Sequence, residues 1–125
     1  MREAAVAAMQ GFIDAFNAQN HEALADTLNY PHIRLANGAF TEIPTREAFI
    51  ERSRAGKARL EAEGWARTTV GKVLAVHVGQ DKVHLALTNE RRHADGTVYK
   101  RFETFWIATC VHGHWGIQFR SSYLR

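Results

Sequence analysis

Hydrophobic and polar positions divide the chain into two unlike parts. Over residues 4–16, Ala5, Met9, Phe12, Ile13 and Phe16 recur near the 3.6-residue period of a helix, and further alanines between them add propensity. Asn17 and Asn20 interrupt this pattern. Asn20 is placed to cap a short second helix running through Leu28, with Glu22 well placed in its first turn. Pro31 stops any continuation, because the residue before a proline is pushed toward extended geometry. Residues 32–35 and 40–43 then read as short strands joined by an Asn37-Gly38 turn. Thr45 is the expected N-cap of a third helix over 46–63, with Gly64 as its stop. The apolar stripe of that helix is thin: Phe49, Ile50, Ala55 and Leu60.

After Trp65 the pattern becomes that of strands, rich in β-branched and aromatic residues, over 67–78, 82–93, 97–111 and 115–122. The turns between them are Gly79-Gln80-Asp81, Ala94-Asp95-Gly96 and His112-Gly113-His114, short enough to predict an antiparallel meander. Strands of this length must bend, and Gly71 marks the expected bulge in the first of them. Three N-terminal helices followed by a strongly curved antiparallel sheet predict one α+β domain over 1–125, shaped as a cone with an opening. Val73-Leu74-Ala75-Val76 and Phe105-Trp106-Ile107-Ala108 do not alternate with polar residues. Both sheet faces therefore carry apolar side chains. One face meets the helices, and a homodimer through the other is the expectation.

Composition narrows the function classes. The net charge is +3, and Arg46, Arg52, Arg54, Lys57 and Arg59 share their segment with Glu47, Glu51, Glu61 and Glu63. Mixed signs describe a solvated helix face, not the one-signed stripe of a nucleic-acid binder. No run of 18 apolar residues offers a membrane span, and Met1-Arg2-Glu3 does not open a secretory signal. One cysteine, Cys110, allows no intrachain disulfide, and a cytoplasmic location is expected. His112 and His114 alone fall short of the three or four ligands a metal needs, and no glycine-rich phosphate loop occurs, so neither metal nor cofactor is expected.

Three stretches resemble the nuclear transport factor 2-like superfamily, in its SnoaL-like and ketosteroid-isomerase-like branches. They are Phe12-Ile13-Asp14-Ala15-Phe16-Asn17-Ala18-Gln19-Asn20, residues 28–38, and Trp115-Gly116-Ile117-Gln118-Phe119-Arg120. The resemblance implies a curved sheet wrapped round a long helix, a deep pocket inside the cone, and often a sheet-to-sheet dimer. Its members include isomerases, dehydratases, hydrolases, cyclases and non-catalytic modules, so the fold leaves the activity open. Steroid isomerisation needs a carboxylate base and two acidic donors. The resemblance puts Phe12 at a donor position and Leu35 near the base, and neither can perform those roles.

The remaining candidates are polar residues in strands. Glu103 and Glu90 lie among apolar neighbours and are the expected acid–base carboxylates; the alternative is cross-strand pairing with Arg91, Arg92, Arg101 or Arg120. Tyr30, His32 and Arg34 flank the first short strand as expected ligand-orienting groups. Period two puts His32 and Arg34 on one face and Ile33 and Leu35 on the other, and the resemblance favours the apolar pair inside. Phe12, Phe16 and Trp106 are the expected apolar lining. The expected function is binding of a small apolar organic molecule in the cone, with acid–base chemistry by Glu103 and Glu90. A non-catalytic association module acting through its dimer is the alternative.

Overall fold

The computed structural model describes residues 1–125. Helix α1 (Arg2–Asn17) is followed by α2 (His21–Asp26), strands β1 (Leu28–Ala36) and β2 (Ala39–Ile43), helix α3 (Arg46–Ala62), and strands β3 (Arg67–Val78), β4 (Lys82–Arg92), β5 (Val98–Val111) and β6 (His114–Ser122). These form one curved, six-stranded sheet in the order β2-β1-β6-β5-β4-β3. All neighbours run antiparallel except β1 and β6, which are parallel. That pair joins the N-terminal hairpin to the end of the meander. No helix is long and apolar enough to cross a membrane.

Local chemistry explains the boundaries. The Asn20 side chain accepts from the Ala23 amide and caps α2; Thr45 accepts from Ala48 and caps α3. Asn37 and Gly38 both have positive φ and close the β1–β2 hairpin. Gly71 falls in the register shift of β3 between Val70 and Lys72. The second helix is shorter than its sequence implies: it ends at Asp26 and the chain is already extended at Leu28, ahead of a cis Tyr30–Pro31 peptide.

The core lies between the sheet's concave face and α1, which inserts Ala5, Met9, Phe12 and Ile13. Facing them are Val83, Leu85 and Leu87 of β4, Trp106 and Ala108 of β5, and Ile117 of β6. Asn17 ties the end of α1 to β3, its amide donating to the Thr68 carbonyl and its carbonyl accepting from the Thr68 amide, both at 2.8 Å. Asn17 is thus a structural clamp. Helix α3 buries only Phe49, Ile50 and Leu60 and packs mainly on α2 and β2. It spans the open end of the cone and leaves space beneath.

The β1–β6 contact is tight where the strands meet. A Cβ on Gly116 would lie 2.7 Å from the Leu28 carbonyl carbon and 2.9 Å from the Asn29 nitrogen, both backbone atoms that cannot yield cheaply. Gly56, inside α3, has open space around its Cα. In urea unfolding, Gly116→Ala is expected to lose about 2 kcal/mol by overpacking, whereas Gly56→Ala gains up to ~1 kcal/mol from helix propensity. Equal tolerance of both would contradict the close β1–β6 crossing.

Candidate functional site

The space under α3 is a cavity of about 370 Å³ that opens to solvent, and it continues into a recess of about 80 Å³ against β4 and β5. Phe12, Phe16, Arg34, Arg91, Arg120 and Leu124 line both parts. Trp106 and Phe102 wall the recess. Phe12 packs edge-on against Trp106, with ring centroids 4.7 Å apart, and the Arg120 guanidinium lies over the Phe12 ring, 4.9 Å from its centroid.

Backbone irregularities aim these side chains. In β6, Ile117 pairs with Ala108 and Phe119 with Ile107, so Gln118 is an extra residue in a bulge. The bulge shifts the period-two phase: Ile117 stays inside, Phe119 turns outward and Arg120 turns in beside Trp106. The β1–β6 register is also broken between Leu28 and Ile33, and beyond the break Arg34 stands next to Arg120. His32 is fully buried and Arg34 half-buried. This corrects the expectation that Ile33 and Leu35 would point inside; the polar pair does.

His32 and Arg120 form one unit. The His32 ring places Nδ1 3.0 Å from the Ile117 carbonyl, which can only accept, so this nitrogen carries the proton. Nε2 is then the acceptor, and Arg120 Nε donates to it at 3.0 Å. No carboxylate pairs with Arg120; the ion pairs of the chain are Arg46–Asp26, Arg91–Glu63, and Arg92 and Arg101 with Glu90, besides one from the N-terminus to Glu3. Desolvation first, then the charges of Arg34 and Arg52, pull the Arg120 pKa down. A guanidinium starts so high that it stays cationic at neutral pH. Arg34 is pulled down for the same reasons, by burial and then by Arg52, Arg91 and Arg59. Arg52 and Arg59 stand exposed on α3 at the mouth.

Glu63 is the only carboxylate side chain lining the cavity. Arg91 donates to its Oε1 at 2.7 Å and the Tyr99 hydroxyl donates to the same oxygen. Burial works to raise the Glu63 pKa, but these hydrogen bonds outweigh it and the net shift is downward. Glu63 therefore neutralises Arg91, while Arg34, Arg52, Arg59 and Arg120 have no carboxylate partner.

The other expected site residues lie elsewhere. Glu90 and Glu103 project from the outer face of the sheet, because the inward phase of β4 and β5 belongs to Leu87 and Asn89 and to Thr104 and Trp106. Glu90 receives Arg101 across the strands and Arg92 along its own strand, and these contacts, the Arg101 hydrogen bond foremost, depress its pKa. Glu103 is exposed. Tyr30 faces α2, its hydroxyl donating to the Ala25 carbonyl at 2.8 Å, and does not reach the cavity. Phe12, Phe16, Trp106, His32 and Arg34 are the expected residues that the fold does bring together. Sequence reasoning missed Arg120, whose inward turn depends on a bulge that no glycine or proline marks.

Burial, and then the Arg120 charge, push the His32 pKa down to about 3, from 6.5 in an open chain. Below 6.5 the unfolded chain binds a proton that the native protein refuses until about 3. The unfolded state holds more protons in that window, so stability falls as pH falls through it, by up to about 1.4 kcal/mol per pH unit from this residue. Urea titrations at pH 6.5 and 4.5 are expected to show a smaller difference for His32→Gln than for the parent. An identical difference in the two proteins would mean that His32 titrates as an exposed imidazole.

Comparison with known proteins agrees with this architecture. A family model described as NTF2-like protein (DUF6841) matches residues 2–119. No curated protein matches the chain. Among solved structures, an NTF2-like protein with a cystatin-like fold from Novosphingobium aromaticivorans is similar at 18% identity and a TM-score of 0.78, covering 98% of this chain and 80% of that one. A protein of unknown function with a cystatin-like fold from Nostoc punctiforme gives 9% identity and a TM-score of 0.79, over 99% of this chain and 90% of its own. A ketosteroid isomerase-like protein from Erwinia carotovora gives 15% and 0.67, over 97% and 93%. Such identities establish the fold alone. With the family model spanning nearly its whole length, the chain belongs to the NTF2-like DUF6841 family.

Proposed function

We propose that the protein binds a small organic anion inside the cone, with a carboxylate on Arg120 and Arg34 and an apolar body against Phe12, Phe16 and Trp106. One observation carries this reading: a cavity-facing guanidinium, half-buried and stacked on Phe12, has a neutral imidazole for a partner and no carboxylate. A cation held partly out of water is costly unless paired, and an anionic ligand supplies the missing partner. Because Nε is used on His32, both terminal nitrogens of Arg120 are left to meet a carboxylate side by side. Arg52 and Arg59 at the mouth add a positive field that draws anions inward. The expected apolar ligand thus becomes an amphipathic one.

Binding fits the cavity better than acid–base chemistry does. Its one carboxylate side chain, Glu63, is held in an ion pair, and His32 is neutral and walled off behind Arg120. His32 serves as a positioning residue here, and Glu90 and Glu103 have no part inside. The outer sheet face supports a second, compatible element. Leu74 and Val76 are about half exposed there, beside Phe105 and Ala86. We infer that a second copy of the chain covers this face, leaving each cavity open at the α3 side.

Two measurements check these readings. By calorimetry, benzoate is expected to bind the parent and benzamide to bind at least ~10-fold more weakly, and Arg120→Met to lose benzoate affinity by about 10- to 100-fold, as for a charge-assisted hydrogen bond worth ~1.5–3 kcal/mol. Equal affinity for the neutral amide would remove the anion from the account. Light scattering is expected to give twice the chain mass of 14.1 kDa; a monomer at high concentration would leave the outer face uncovered and refute the pairing.

A further inference from the structure

Two buried side-chain oxygens in the molecule have no hydrogen-bond partner: Gln19 Oε1, near the cavity mouth, and Asn89 Oδ1. Asn89 is the more telling. It sits on the concave phase of β4, continuing the line of Val83, Leu85 and Leu87, where an apolar residue would complete the core. It is 5% exposed and lines the recess beside Arg120. A buried amide without a partner destabilises the fold, since it gave up water and received nothing in return. Of the two threonines that line the recess, one is fully occupied and one is not. Thr104 accepts from Trp106 Nε1 and donates to the Ser121 carbonyl, both at 2.9 Å. Thr68 accepts from Trp65 Nε1 at 2.9 Å, and its own hydroxyl proton goes to no protein acceptor.

We propose that Asn89 and Thr68 form a second recognition point, for a hydroxyl group on the anion held by Arg120. A ligand hydroxyl would donate to Asn89 Oδ1 and accept from the Thr68 hydroxyl, satisfying both at once. The ligand class is therefore a hydroxy acid: carboxylate at Arg120 and Arg34, apolar body against Phe12, Phe16 and Trp106, hydroxyl in the recess. This inference rests on the anion-binding reading and adds to it the discrimination between hydroxylated and plain acids. A site that hydrogen-bonds a hydroxyl disfavours the analogue lacking it, because the protein groups are then left unpaired.

The test is a calorimetric series of benzoate and its three hydroxy isomers on the full chain. One isomer, the one whose hydroxyl reaches Asn89, is expected to bind about tenfold or more tighter than benzoate. In Asn89→Leu that ratio is expected to fall to near one. The thermal midpoint of the ligand-free Asn89→Leu protein is expected to rise, because an unpaired amide has been replaced by an apolar side chain of similar size. If benzoate binds but no isomer exceeds it by more than about twofold, a resident water satisfies Asn89. That result overturns the hydroxyl site and leaves the anion site standing. A preference that survives Asn89→Leu, or a midpoint that drops, also overturns it, the latter by making Asn89 a structural residue. If none of the four acids binds, both readings fall together.

Discussion

A half-buried guanidinium held by an uncharged imidazole is the constraint round which the interior of this cone is organised. Arg120 donates to His32 Nε2, and His32 in turn donates to the Ile117 carbonyl, so the cation is aimed without being neutralised. The direction of both hydrogen bonds follows from one fact: a carbonyl oxygen can only accept. That fixes the tautomer, the tautomer makes Nε2 an acceptor, and the acceptor orients the arginine. A carboxylate in the place of His32 would have anchored Arg120 more strongly and closed the site to an incoming anion. The imidazole orients the charge and leaves it available.

The rest of the fold serves this arrangement through geometry. The curved meander supplies a concave wall, α1 fills most of it, and the thin apolar stripe of α3 leaves that helix propped over the opening instead of packed into it. A fully apolar α3 would sink onto the sheet and erase the cavity. The Gln118 bulge then decides which side of β6 looks inward. One added residue exchanges Phe119 for Arg120 at the cavity wall and changes the site from apolar to cationic. Glu63 shows the complementary device: a single carboxylate, drawn to Arg91 and Tyr99, cancels one charge and leaves the cluster of four net positive.

Much of the architecture was legible in the sequence because it is written in local rules. The helical period of Met9, Phe12, Ile13 and Phe16, the caps Asn20 and Thr45, the Asn37-Gly38 turn and the four long strands each follow from residues close in the chain. The aromatic lining was legible for the same reason. The polar site was not. Period two ordered His32 and Arg34 correctly as a pair, but their phase depends on an irregular β1–β6 register set by contacts across more than 80 residues. Glu90 and Glu103 drew attention as carboxylates among apolar residues, yet on a sheet with two apolar faces that setting does not tell inside from outside. Asn89 looked ordinary because its meaning lies in a missing partner, which only coordinates reveal.

The central claim is that Arg120 is a receptor for an anion and not a strut. A crystal structure of the protein grown with benzoate tests it most directly. The account predicts a carboxylate within hydrogen-bonding distance of the terminal nitrogens of Arg120, the ring against Phe12, and His32 still bonded to Ile117. Benzoate seated away from the cone, with Arg120 satisfied by a carboxylate of the chain itself, would contradict it.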